Sequence, residues 1–141
     1  MLSIKNHYFE QNELLMCTLE GEITPNDLKT RSLGDQQLPE DCPCQREVVD
    51  CRRLEVSDAV TAEALVGFAE KILTLRTCEM VLLIPADSPL HEGMAEALAT
   101  VLVKKRRRIW LHYTLDEAIN LLNLIQHNSP EPAIRYLRTA V

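Results

Sequence analysis

The chain has 141 residues, 15 basic against 21 acidic, with hydrophobic residues at 46% and charged residues at 26%. These values describe one ordinary globular domain with a net charge of −6 and exclude a disordered chain or a basic nucleic-acid binder. The longest clean apolar run, Met80 to Ile84, is far below the ~20 residues of a membrane span.

The first residues lack a long apolar stretch, so no signal peptide is expected. Five cysteines, Cys17, Cys42, Cys44, Cys51 and Cys78, then imply a reducing compartment, the cytoplasm. Cys17, Cys51 and Cys78 lie in or beside apolar runs and read as small buried hydrophobes. Cys42-Pro43-Cys44 lies in a polar loop, but paired Cys-x-x-Cys spacing is missing and no metal site is assigned.

Leu2 to Phe9 and Leu14 to Leu19 read as a hairpin of two strands. Thr24-Pro25-Asn26-Asp27 opens a short helix, with Thr24 as its cap and Pro25 at its first position. It ends near Ser32 or Leu33, and residues 38–46 form an irregular loop. Val48 to Cys51 is a short buried strand. Ser57 and Asp58 cap a helix from about Ala59 to Arg76, with Leu65, Ala69, Ile72 and Leu73 at helical spacing. Met80 to Ile84 is a strand covered on both faces. Asp87-Ser88-Pro89 opens a helix that buries Leu90, Met94, Ala97, Leu98 and Val101. Ile109 to Tyr113 is the last strand, with Trp110 in the core. Thr114 to Glu117 is a capping box for a helix burying Leu115, Ala118, Ile119 and Leu122. Residues 128–141 are an extension whose order the pattern does not define. Strands alternating with helices predict an α/β domain with a mixed, mostly parallel sheet of about five strands and about four helices.

Three stretches carry a resemblance. Gly21-Glu22-Ile23-Thr24-Pro25-Asn26-Asp27 looks like a Gly-Glu-hydrophobic turn into a first helix. Asp50 to Asp58 keeps the spacing from a strand-end aspartate to the aspartate before a switch helix. Arg108 to Tyr113, followed by Leu115-Asp116-Glu117-Ala118, resembles a last strand and helix. Together they are similar to the STAS domain, the anti-sigma-factor-antagonist and sulfate-transporter module, over residues 1–127. Gly93-Met94-Ala95 before a long helix resembles the short stand-alone bacterial branch of that superfamily, grouped by fold with lipid-transfer proteins of the CRAL-TRIO type. The resemblance implies a regulatory module working by protein contact or self-association, with partners around Asp58 and the second helix. In the phosphorylatable antagonists Ser-Ser-Gly follows that aspartate. Here Ala59-Val60-Thr61 follows, so the phosphoacceptor position falls on Ala59, which has no hydroxyl.

No Ser-His-acid, His-Glu-x-x-His or phosphate-loop pattern occurs, so the reading is non-enzymatic and no cofactor is implied. Candidate contact residues are Asp50, Ser57, Asp58, Ala59, Thr61, His91 and Gly93, at the strand carboxyl ends where open α/β sheets hold ligands. Asp50 and Asp58 would make an acid pair if adjacent; the plainer roles are loop ordering and capping. His91 sits in a first helical turn, and Gly67 and Gly93 each cost about 1 kcal/mol inside a helix unless close packing or a ligand requires them. Lys104, Lys105, Arg106, Arg107 and Arg108 form a basic run that complements a helix C-terminus or meets an anion. The alternative function is a small-ligand or lipid-binding domain using the crevice after Asp50 and Pro85. A closed apolar pocket lined by Leu65, Leu90 and Met94 would favour that alternative. A solid core with an exposed apolar patch would favour protein contact.

Overall fold

A computed structural model describes residues 2–10, 13–30, 46–75, 79–105, 109–112, 114–125 and 131–139. The chain is α/β. Its strands are β1 (Ser3–Phe9), β2 (Leu14–Ile23), β3 (Arg46–Val56), β4 (Glu79–Leu83) and β5 (Ile109–His112). The helices are α1 (Pro25–Thr30), α2 (Ala62–Leu75), α3 (Pro89–Lys105), α4 (Leu115–Ile125) and α5 (Glu131–Thr139). The sheet runs β1-β2-β3-β4-β5. The β1–β2 pair is antiparallel, and all later pairs are parallel. No described helix is long and apolar enough to cross a membrane.

Strands added in chain order in one direction, joined by right-handed crossovers, place every crossover helix on the same face. The core follows this rule. Cys17, Leu19, Ile23, Val49, Cys51, Leu82 and Ile84 pack with Leu65 and Phe68 of α2 and Leu90, Met94, Ala97 and Leu98 of α3. Leu28 of α1 joins the same cluster. The alternate residues of the same strands, Leu14, Met16, Val48, Val81 and Leu83, face the other way. They are covered by Ala118, Ile119 and Leu122 of α4 and by Ala133, Ile134 and Leu137 of α5.

Several boundaries differ from the sequence expectation. β2 runs on to Ile23, with Gly21 at φ 96°, a conformation that a side chain would strain. β3 is eleven residues long, and its register with β2 shifts between Thr18 and Glu20. Thr18 pairs with Asp50, but Glu20 pairs with Arg53, so β3 carries one extra residue, a bulge. The bulge reverses the alternation. Val49 and Cys51 precede it on the α2–α3 side, and Leu54 and Val56 follow it on that side.

α1 stops at Thr30. Its cap is the predicted one: the Asp27 amide donates to Thr24 Oγ1 at 3.3 Å, and the Thr24 amide donates to Asp27 Oδ2 at 2.9 Å. The α4 box also forms, the Glu117 amide donating to Thr114 Oγ1 at 3.2 Å. α2 begins three residues later than expected. Thr61 is its cap, accepting the Ala64 amide at 3.1 Å, while Ser57 and Asp58 belong to a preceding turn. The C-terminal segment left open by sequence contains a helix, α5, with three residues in the core. Tyr136 of α5 stacks on His7 at 5.2 Å between ring centres and meets Phe9 edge-on at 5.8 Å.

The two helical glycines separate. A Cβ on Gly93 would lie 3.1 Å from the Leu65 Cβ, so Gly93 permits the close approach of α3 to α2. A Cβ on Gly67 would meet nothing within 4 Å, so the packing expected to explain it is absent. Gly67→Ala is therefore expected to raise stability by about 1 kcal/mol through helix propensity. Gly93→Val should lower it by about 1–3 kcal/mol through overpacking. Urea midpoints of the two variants check both signs.

Cys17 and Cys51 are buried free thiols. Burial first, then the neighbouring Cys17 and Asp50, push the Cys51 thiol well above the usual range. The folded chain therefore holds a proton that the unfolded chain releases above about pH 8.5, so stability falls as pH rises beyond that point. Denaturation at pH 7 and pH 10 should show the loss, and Cys51→Ala should flatten the slope.

Candidate functional site

The carboxyl ends of the strands carry two polar assemblies on opposite faces of the sheet, and the sequence candidates divide between them. On the α2–α3 face, the Ser57 amide donates to the Ile23 carbonyl at 2.9 Å, binding the ends of β2 and β3 together. The chain then turns sharply: the Val60 amide donates to the Ser57 carbonyl at 3.0 Å, and the Ala59 amide to Ser57 Oγ at 3.3 Å. This turn delivers Thr61 to cap α2. Both hydroxyls flanking Ala59 accept backbone amides, and Asp58 and Ala59 stand exposed at its tip.

Between this turn and α3 lies a half-open groove of about 270 Å³. Its apolar floor is Val56, Val60, Leu65 and Val66, with Pro89 at one end. Ser57, Asp58, Glu92 and Glu96 form the polar rim. Gly93 lies buried between the two glutamates, and among the described residues no basic side chain lines the groove. α3 starts here because Ser88 caps it, its Oγ accepting the Leu90 amide at 3.2 Å. Leu90 and Met94 are fully buried in the core behind the groove.

Of the sequence candidates, the groove therefore gathers Ser57, Asp58 and Gly93. Ala59 and Thr61 belong to the adjoining turn and cap, and His91 is not among its lining residues. Glu92 and Glu96 are not among the sequence candidates; acids four residues apart on a helix resemble any solvated face. Their signal was position: both flank Gly93 at the start of a helix that follows a buried strand.

Asp50 is elsewhere. It faces α4 and α5 and is only 2% exposed. Arg52 donates to it three times, from Nε to Oδ1 at 2.9 Å, from Nη2 to Oδ2 at 2.9 Å and from its amide to Oδ1 at 3.1 Å. The same Nη2 donates to the Leu137 carbonyl of α5 at 2.9 Å. A planar guanidinium suits this fork, and a cation at a helix C-terminus complements its dipole. The Asp50–Asp58 acid pair is thus not formed, since the sheet separates the two. Thr18, the strand partner of Asp50, keeps its hydroxyl buried with no hydrogen-bond partner among the described residues. Next to it, Arg53 pairs with Glu20 at 3.0 Å on the surface.

Lys104 and Lys105 close α3 at the far end of a helix about 25 Å long, away from the groove. Arg106, Arg107 and Arg108 lie outside the described residues, as do Cys42, Cys44 and Cys78. Among the described residues no three His, Cys, Asp or Glu side chains gather as metal ligands. No protein-family model and no curated protein matches the chain.

Arg52→Met leaves the Asp50 carboxylate buried without its partner and should cost about 3–5 kcal/mol. Pairing it with Asp50→Asn should restore part of that loss. Hydrogen exchange in α5 should speed up in the single variant, because Arg52 holds that helix as well as Asp50.

Proposed function

We propose that the chain is a non-enzymatic, STAS-like regulatory module that acts by protein contact. The partner meets the exposed Ser57–Val60 turn and the first turns of α2 and α3. The observation that carries this reading is the packing of the described core residues behind that surface. Leu65, Leu90 and Met94, the side chains a ligand chamber would need, are buried against one another and the sheet. Among the described residues, the groove beside them is half-open and holds about 270 Å³, below the ~300–1,000 Å³ of pockets that enclose small ligands. A groove of that size takes side chains of another protein.

The strand order, the helix following β3 and the turn containing Asp58 support the STAS-like assignment. Ala59 occupies the place of the family's phosphoacceptor, and it offers only a methyl group at the exposed tip. In this reading contact is therefore not switched by phosphate at that residue. The buried free thiols Cys17 and Cys51 suit a reducing compartment such as a bacterial cytoplasm.

Native mass spectrometry of the chain purified from its own cells, set against its denatured mass, tests the reading. A complex with a protein partner or a second copy is expected, and Ala59→Glu should disperse it without unfolding the chain, since Ala59 is exposed. A small molecule or lipid that leaves on denaturation would instead establish the ligand-binding alternative.

A further inference from the structure

Resting on the protein-contact reading, we propose that the partner segment seated in the α2–α3 groove is both cationic and apolar. It places a lysine or arginine among aliphatic side chains. The groove dictates this combination from two directions. Val56, Val60, Leu65 and Val66 give it an aliphatic floor that only an apolar body covers. Carboxylates stand on two of its walls, Asp58 on the turn and Glu92 with Glu96 on α3.

Glu92 and Glu96 lie one helical turn apart, where like charges repel. Asp58 adds a third negative charge, and among the described residues no cation in the lining offsets them. A long cationic side chain fits this layout, laying its methylene stem on the floor and its charge between the walls. Acidic peptides and phosphate groups meet repulsion at every rim carboxylate. The buried Gly93 allows α2 and α3 to stand close at the groove, its place for a Cβ lying 3.1 Å from the Leu65 Cβ.

The test uses three synthetic helical peptides, titrated into the full chain by calorimetry and two-dimensional NMR. One is a leucine–lysine amphipath, one its leucine–glutamate counterpart, and one carries lysine with glycine in place of leucine. The leucine–lysine peptide should bind, weaken with added salt, and shift the amide resonances of Val60, Leu65 and Gly93. Combining Asp58→Asn, Glu92→Gln and Glu96→Gln should weaken it about tenfold, and Glu92→Gln alone about threefold. All three side chains are exposed, so these variants fold. Equal binding of the glutamate peptide, or unchanged affinity in the variants, overturns the cationic requirement. Equal binding of the lysine–glycine peptide, or shifts that map to another face, overturns the groove. A native complex that survives the triple variant but not Ala59→Glu leaves the contact reading standing and removes this inference alone.

Discussion

Handedness is the constraint on which this structure depends. Four parallel strands laid down in chain order force α1, α2 and α3 onto one face of the sheet. That leaves Leu14, Met16, Val48, Val81 and Leu83 facing water unless something after the last strand returns to cover them. α4 and α5 do so, and α5, at nine residues, is too short to hold a helix in isolation. It is held by packing, by the Tyr136–His7 stack, and by Arg52 reaching from the sheet to its last turn. Asp50 holds Arg52 in that position. A buried ion pair contributes little net stability by itself, yet it ties the last turn of α5 to the sheet.

The bulge in β3 connects this clamp to the groove on the other face. A strand shows successive side chains to opposite faces, and one added residue reverses that order. Asp50 therefore faces α5, while Leu54 and Val56, beyond the bulge, return to the side that carries α2 and α3. Without the extra residue, Val56 would leave the groove floor and Arg53 or Glu55 would enter it. A single strand thus supplies an ionic anchor on one face and an apolar floor on the other.

Where local chemistry decides, the elements were legible from the residues. Thr24 with Asp27, and Thr114 with Glu117, announced their helices and form the bonds they promised. The stripe of Leu90, Met94, Ala97 and Leu98 identified the buried side of α3. Where a distant partner decides, the pattern was silent. Arg52-Arg53-Leu54-Glu55 looks like a polar loop because its strand pairing lies with β2 and the carbonyl that Arg52 reaches lies on α5. Pro130-Glu131-Pro132 looks like a terminator, although proline is tolerated in a first helical turn. Nothing local shows which face of the sheet a strand-end residue takes, so the residues alone could not tell whether Asp50 meets Asp58 or, as in the plainer reading, orders its own loop. Ser57 and Thr61 both have capping chemistry, and only the turn between them reveals which one starts α2.

The covering of the second face by the last helix sets an order of events during synthesis. Domains fold as the chain emerges from its amino end, so all five strands leave the ribosome before α5. Until residues 131–139 follow, the nascent sheet shows bare aliphatic side chains and Arg52 lacks its carbonyl acceptor. A chain halted near residue 125 would have every strand paired and one face covered by α4 alone. Such a chain is a natural client for chaperones and a candidate for association with its neighbours on the same message.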